Sequence, residues 1–327
     1  MTASTGAPVY ASPADIDRYG PYGPGRLDAG TGWNRPRYPF QGRITADGSS
    51  GYPAEPGRYH VYAAWTCPLA QRVAIVRLLK GLAGVVSLSY VDDDRDNRGW
   101  AFRERRGPDP VNGFAFLQEA YDATEPGYPG HLSVPVLWDR VSGRIVSNDF
   151  PRITIDLGTA FERWGDPTVA LYPRELRPEI DGLNEEIYRD VNAGVHQVAA
   201  ARDQEEYEDR RHRVISALER LDERLADHRF LVGDGVTEAD VRLWPTLVRF
   251  DLAQNPAGKI SERSLTDFPN LWGYARDLYQ WPAFRQTADF GVYRPGSPPA
   301  GGPRRITVEP FAADWDKPHG RERLGSG

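Results

Sequence analysis

The chain of 327 residues carries a single cysteine, Cys67. One thiol cannot form an internal disulfide or a cysteine-based zinc site, so disulfide scaffolds and zinc fingers are excluded and no metal centre is expected. Cys67 is then either a small buried hydrophobe or a working thiolate. Lysine is nearly as scarce. Of 40 basic residues only Lys80, Lys259 and Lys317 are lysine, and the rest are arginine. Lysine codons are AT-rich and most arginine codons GC-rich, so the skew points to a GC-rich genome rather than to a fold. Positive charge is not in excess either. A net charge of −6 leaves no basic face to track a phosphate backbone, and nucleic acid is not expected as a partner. No stretch approaches the ~20 uninterrupted apolar residues of a membrane helix, and Met1 to Gly20 has neither the apolar nor the basic segment of a secretory signal. A cytoplasmic chain without a membrane partner is expected. With 40% hydrophobic and 26% charged residues, the composition is that of a packed protein. The length accommodates roughly two domains of about 150 residues each.

Residues 1–55 are rich in Gly, Pro, Tyr and Arg and show little periodicity (Tyr19 to Pro24, then Trp33 to Pro39). The aromatics predict an extension that packs on the body of the protein. Residues 56–165 read as an α/β unit. Tyr59 to Trp65 is a strand, and Pro68 to Leu82 has helical spacing at Val73, Val76 and Leu79. Val85 to Val91 is a second strand, and a short helix follows at Phe116 to Tyr121. His131 to Trp138 and Arg144 to Ser147 form a strand pair, joined by a turn over Asp139 to Gly143. Pro135, inside an otherwise good strand, demands an edge or a special geometry. A helix from Phe150 to Phe161 closes this unit.

Residues 175–294 read as all helix. Ile180, Leu183, Ile187, Val191 and Val195 mark one apolar face, and Val214, Leu218, Leu221 and Leu225 another. Thr237 with Asp240 predicts a capping box that starts a further helix, and Leu271 to Leu278 gives one more. Asn192 is expected to serve the fold through a backbone contact. Arg202 to Arg213 reads as a solvated helix face with i,i+4 ion pairs. Residues 295–327 form a Pro/Gly/Arg-rich extension.

Trp65-Thr-Cys-Pro-Leu-Ala-Gln-Arg72 lies between the first strand and the first helix. Pro68 suits the first helical position, where its missing N–H costs nothing, which makes Cys67 the cap. Its sulfur then lies among unpaired N–H groups at the positive end of the helix dipole. In such settings a thiol's pKa falls from about 8.5 to roughly 3.5–7.5. A reactive Cys67 is therefore favoured over a structural one. With no second cysteine to resolve an oxidised intermediate, its disulfide partner must come from outside the chain.

Cys67-Pro-Leu-Ala-Gln-Arg72 resembles the Cys-Pro-Trp-Ala-His-Arg motif of the glutathionyl-hydroquinone reductases, the Xi class of the glutathione transferase superfamily. Gly99-Trp-Ala-Phe102, Val134-Pro-Val-Leu-Trp-Asp139, Val191-Asn-Ala-Gly-Val195, Thr237 to Leu243, Pro245 to Asp251 and Pro318 to Glu322 are also similar to that family. The likeness runs from about Trp33 to Arg323. It implies an α/β thioredoxin-like domain followed by an all-α glutathione-transferase C-terminal domain, usually in a homodimer. It implies that Cys67 is the nucleophile, that Trp100 shapes the thiol site, and that Pro135 is a cis-proline. The backbone of Val134, beside that proline, would pair with the cysteinyl part of the bound thiol. By the same likeness Asn148 and Asp149 belong to the thiol site, Leu69 and Gln71 to the substrate pocket, and Tyr293 is the candidate for the family's functional tyrosine in the tail.

Departures from the family pattern fall in the same places. Leu69 and Gln71 stand where the family has Trp and His. Asn148-Asp149-Phe150 stands for Asn-Glu-Ser, whose Glu-Ser pair grips a γ-glutamyl group. Asp149 is one methylene shorter and Phe150 offers no side-chain hydrogen bond, a loss of about 1–3 kcal/mol for a buried charged partner. His196 replaces a tyrosine after Gly194-Val195 and could act as a general acid on the leaving hydroquinone, although a plain hydrogen-bonding role is ahead. Tyr188, two turns earlier, reads as structural but faces the same pocket. Glutathione is the family's thiol co-substrate. The lost Glu-Ser grip and the GC-rich codon signature also admit mycothiol, a cysteinyl pseudodisaccharide without a γ-glutamyl group. The small-molecule substrate is expected to be an aromatic or quinone-derived thiol adduct. Two alternatives stay open: an enzyme of the same fold that conjugates or isomerises an electrophile, and a non-catalytic scaffold.

Overall fold

The computed structural model describes residues 7–23, 38–296 and 302–325. Trp33 and the neighbouring Asn34 to Arg37 lie outside the described residues. Contacts divide the chain into two units, residues 1–77 with 81–165 and residues 78–80 with 166–327.

The first unit is built on a four-stranded sheet in the order β2-β1-β3-β4, formed by β1 (Tyr59–Ala63), β2 (Ser87–Tyr90), β3 (Val136–Asp139) and β4 (Arg144–Ser147). β1 runs parallel to β2, with Val61 opposite Leu88, and antiparallel to β3, with Val61 opposite Leu137. All five residues of β1 are buried, because a central strand with a parallel neighbour is covered on both faces. The crossover between β1 and β2 is α2 (Pro68–Leu79), which begins at the first position after Cys67 as the Pro68 rule requires. The second strand is shorter than the sequence predicts: Leu82–Gly84 forms a 3-10 turn, so pairing starts only at Ser87. The short helix is likewise displaced, to α3 (Gln118–Thr124), and α4 (Phe150–Thr159) follows β4 directly.

Pro135 sits just before β3, a central strand rather than an edge, and the Val134–Pro135 peptide is cis. The special geometry that the sequence demands is therefore the cis bond. His60, on β1, is fully buried, and its ring nitrogens meet Ser87 Oγ at 2.7 Å and Ser89 Oγ at 2.8 Å. Burial pulls its pKa down to about 3, with help from the Arg140 and Arg77 charges.

Residues 7–23, including the short α1 (Ile16–Tyr19), pack on this unit. Ala11 N–H donates to Phe102 O, Asp15 N–H to Asp96 Oδ2, and Asn97 N–H to Gly20 O. Tyr22 Oη accepts from Leu132 N–H at 2.8 Å and lies 2.8 Å from His131 Nδ1.

The second unit is helical: α5 (Arg177–Glu186), α6 (Gly194–Ala199), α7 (Gln204–Arg224), α8 (Glu238–Leu247), α9 (Asn255–Gly258), α10 (Pro269–Tyr279) and α11 (Pro282–Arg285). Ile180, Ile187, Val191 and Val195 are buried as their spacing predicts, but they do not share one regular helix. Ile187–Asn192 is a π-helical turn, closed by Ala193 N–H to Tyr188 O. Just beyond it Gly194 meets α7 so closely that a Cβ there would lie 2.9 Å from Val214 Cγ2. The Asn192 side chain donates to Thr246 Oγ1 at 2.7 Å. Asp240 reaches back to Thr237 N–H at 2.7 Å and also accepts from Leu231 N–H and Tyr274 Oη–H. On α7 the exposed face carries Arg210–Glu206 and Arg213–Asp209 pairs at i,i+4. Among the described residues no helix is long and apolar enough to cross a membrane.

Candidate active site

The sequence-predicted residues divide between the two units. Cys67, Leu69, Gln71, Trp100, Val134, Pro135, Asn148 and Asp149 belong to the first, and Tyr188, His196 and Tyr293 to the second.

Cys67 is half-buried at the head of α2. Its carbonyl accepts from Gln71 N–H at 3.1 Å, the first intrahelical bond, and its own N–H donates to Ala64 O. The accepting carbonyl is that of a capping residue, and the donated N–H closes the turn before the helix. Its sulfur lies 3.4 Å from the carbonyl oxygen of Val134, the residue that enters the cis bond. Two segments 67 positions apart thus bring a thiol and an irregular stretch of backbone together. Such a stretch, not committed to the ladder until Val136, has N–H and C=O groups with which an incoming thiol compound could pair. Leu69, two residues on, is half-buried, and Gln71, one turn on, is only 4% exposed.

Behind Val134 stands a buried polar cluster. Tyr121 Oη donates to Ser133 O at 2.8 Å and accepts from Ser133 N–H at 3.0 Å and Asn148 Nδ2 at 3.3 Å. Asn148 Nδ2 also reaches Ser133 Oγ at 3.2 Å, while its Oδ1 accepts from Phe40 N–H. Asn148 is thus engaged in holding Ser133, one residue before Val134. Asp149 precedes α4 with its carboxylate 3.4 Å from Arg152. Phe150, the first residue of α4, is 2% exposed, edge-on to Tyr38 and beneath the Arg72 guanidinium at 5.0 Å. The residue that replaces the family's serine has become core.

Trp100 is 8% exposed, and its indole N–H is buried without a hydrogen-bond partner among the described residues. Gly99 before it has φ +90°, a left-handed conformation that favours glycine. Trp100 stacks on Arg95, whose guanidinium carbon lies 4.4 Å from its ring and 3.8 Å from that of Tyr22. Around them runs a lattice of ion pairs: Asp92 with Arg103 and Arg105, Asp93 with Arg105 and Arg106, Asp94 with Arg105, and Asp96 with Arg98. Burial lowers the Arg95 pKa, and negative charge on Tyr22 or Cys67 opposes that shift. Arg95, Tyr22 and Ser133 are parts of this region that motif matching passed over. The one sequence signal for Arg95 was a run of five arginines and five acids between residues 92 and 106.

In the helical unit, His196 on α6 is half-buried, and burial holds its pKa below the usual 6.5. At neutral pH the imidazole is neutral, which works against a role as general acid. Tyr188 is half-buried in the π turn. Tyr293 is 4% exposed with the Arg249 guanidinium 4.2 Å above its ring and Phe290 edge-on to it. Among the described residues no group of three or more His, Cys, Asp or Glu side chains could hold a metal ion.

A mixed sheet with a cis-proline before a central strand and a cysteine at a helix head, followed by an all-helical unit, defines a glutathione transferase of the thioredoxin-like kind. Residues 204–277 match the glutathione S-transferase C-terminal domain. The chain is 42% identical over 224 residues to the glutathionyl-hydroquinone reductase PcpF of Sphingobium chlorophenolicum, covering 68% of this chain and 72% of that protein. It is 38% identical over 299 residues to the glutathionyl-hydroquinone reductase YqjG of Escherichia coli K12, covering 86% and 90%. The glutathione-bound structure of YqjG superposes with a TM-score of 0.79 at 36% identity, covering 86% of this chain and 96% of that one. The chain belongs to the glutathionyl-hydroquinone reductase family, the Xi class of glutathione transferases, and is an enzyme of that superfamily.

Proposed function

We propose that the protein is a thiol-dependent reductase that removes a thiol from hydroquinone adducts through a mixed disulfide on Cys67. The observation that carries this reading is the placement of Cys67 Sγ at a helix head, 3.4 Å from the Val134 carbonyl beside the cis-proline. The Cys67 thiolate attacks the thioether sulfur of the adduct. The carbon–sulfur bond breaks, its electron pair stays with the ring carbon, and that carbon takes a proton to give the free hydroquinone. A second thiol molecule, as thiolate, then attacks the Cys67 mixed disulfide, releases the low-molecular-weight disulfide and returns Cys67 to the thiolate. The sum is adduct plus thiol to hydroquinone plus disulfide, with the thiol as reductant. The helix head favours the anionic sulfur in both halves, and the Val134 backbone holds the cysteinyl portion of the thiol. Trp100 walls the thiol site, and Leu69 and Gln71 border the aromatic substrate. A homodimer in the cytoplasm is the expected form.

Glutathione is the thiol of first choice, since the relatives are named for it. Asp149 and Phe150 favour a second reading in which mycothiol serves instead. Intact-protein mass spectrometry after exposure to glutathione disulfide and mycothiol disulfide in parallel separates the two, with Cys67→Ala as control. One glutathionyl or mycothiyl adduct on the wild type and none on the variant is expected. No adduct from either would refute the mixed-disulfide mechanism and put the conjugating or scaffold readings first.

A further inference from the structure

A cleft of about 1020 Å³ in the first unit lies between residues 10–22 and 92–105, with Thr66, Arg95 and Trp100 in its wall. Thr66, in the wall, is the residue before Cys67, and charge on Cys67 is felt at Arg95. Arg95 is the unusual group there. Every other arginine from 98 to 106 is paired with an aspartate, and the four aspartates from 92 to 96 are all taken. Arg95 has no hydrogen bond or ion pair among the described residues, and is held by the faces of Tyr22 and Trp100 alone. Two aromatic faces fix the plane of a guanidinium and leave its N–H edge uncommitted. That edge is the part that binds a carboxylate through two parallel hydrogen bonds. Trp100 lines the same wall, and its indole N–H is buried with no acceptor among the described residues, which is costly. The remaining acids of the rim, Asp15, Asp17 and Glu104, are exposed and screened by water and salt.

We propose that Arg95, clamped between Tyr22 and Trp100, is the carboxylate-recognition residue of the Cys67 site, and that it selects an anionic peptidyl thiol over a neutral one. The identity of the ligand as a thiol rests on the reading of Cys67 as the exchanging sulfur. The presence of an anion site beside Cys67 does not. Tyr22 thereby makes residues 7–23 part of the site, because its hydroxyl is tied to Leu132 and His131, immediately upstream of the Val134–Pro135 bond.

Cys67 is the only cysteine, so alkylation reports on one sulfur. The rates of its reaction with iodoacetate and with iodoacetamide, followed by intact mass, are compared in the wild type and in Arg95→Gln. The variant is expected to lower the iodoacetate-to-iodoacetamide ratio about tenfold, the worth of a charge-assisted hydrogen bond, and to slow adduct formation from glutathione disulfide by a similar factor. Arg95→Lys, which keeps the charge but not the flat fork, should fall between. S-methylglutathione should protect wild-type Cys67 from iodoacetamide at about tenfold lower concentration than its diethyl ester, a comparison that holds even if Arg95→Gln fails to fold. A folded Arg95→Gln with an unchanged alkylation ratio and unchanged adduct rate would overturn the proposal and leave the reductase reading standing, as would equal protection by the acid and its ester. A wild type that forms no glutathione adduct while the ratio still falls in Arg95→Gln would instead overturn the peptidyl thiol as ligand, and with it the glutathione form of the reductase reading.

Discussion

Tyr121→Phe tests whether the backbone next to Cys67 is held by the cluster behind it. The ring would keep its packing against Phe40 and Tyr128, with centroids at 5.7 and 5.0 Å, so the substitution removes one oxygen and little else. That oxygen serves both backbone groups of Ser133, accepting from its N–H and donating to its C=O, and takes one N–H of Asn148. Asn148 keeps Ser133 Oγ as a partner, but the two Ser133 backbone groups lose theirs inside a buried cluster. At about 1–3 kcal/mol for each buried group left unsatisfied, and allowing for partial relaxation, the loss should be about 2–4 kcal/mol. Equilibrium urea unfolding, with fluorescence and circular dichroism giving coincident transitions, measures it. A second readout separates stability from site geometry: loosening Ser133 also loosens Val134, so KM for the thiol should rise while the tyrosine itself touches no ligand. A loss below about 0.5 kcal/mol with unchanged KM would refute the reasoning, because it would mean that water or a shifted Asn148 replaces the phenol at no cost.

Two further outcomes follow from local structure. His60 is buried neutral with its pKa pulled to about 3, so folding opposes its protonation: its contribution is complete above the unfolded value near 6.5 and is lost as pH falls from there toward 3, by up to about 1.4 kcal/mol per pH unit. Asp251 acts in the opposite sense, since burial raises its pKa to about 6 and its deficit is relieved as pH falls from about 6 toward 4. Urea midpoints at pH 7, 6 and 5 should therefore fall more steeply in Asp251→Asn than in the wild type, and less steeply in His60→Gln; parallel curves for all three would contradict both assignments. Gly99→Ala should cost about 1–3 kcal/mol from its left-handed backbone and a Cβ lying 2.6 Å from Leu132 Cδ1, and a thermal midpoint equal to the wild type's would show that Leu132 yields freely.

The sequence pattern carried the fold further than it carried the site. Period and punctuation place β1, α2, β4, α7 and α10 because their apolar spacing and caps are local. The π turn at Ile187–Asn192 was not legible, because apolar residues at 187, 191 and 195 fit an α-helix equally well and only the approach of α7 to Gly194 distinguishes them. The shortened β2 has a similar cause, since Val85 and Val86 have strand propensity but leave a 3-10 turn. Cys67 was readable because Pro68 announces a helix start one residue later. Arg95 was not, because its distinction is negative: it is the arginine in its run to which no aspartate falls, and pairing is decided by three-dimensional contact. Asn148 was legible as a motif residue but not in its role, which depends on Tyr121 and Ser133 arriving from elsewhere in the chain.

The two sides of the Cys67 region differ in what they offer a ligand's charges. At the head of α4, the Asp149 carboxylate is buried and 3.4 Å from Arg152, and Phe150 has no polar side-chain group. At the cleft, Arg95 is a donor without an acceptor among the described residues. A thiol with free carboxylates satisfies Arg95, whereas mycothiol, without a carboxylate, does not and would leave Arg95 desolvated and unpaired on binding. The missing serine weakens one contact to glutathione, but the uncommitted arginine penalises the neutral thiol more, because hydrogen bonds to charged groups are worth about 1.5–3 kcal/mol against 0.5–1.5 for neutral ones. Glutathione disulfide should therefore load Cys67 faster than mycothiol disulfide in the wild type, and Arg95→Gln should narrow that preference. Faster loading by mycothiol disulfide in both proteins would mean that the guanidinium serves only to brace Tyr22 against Trp100.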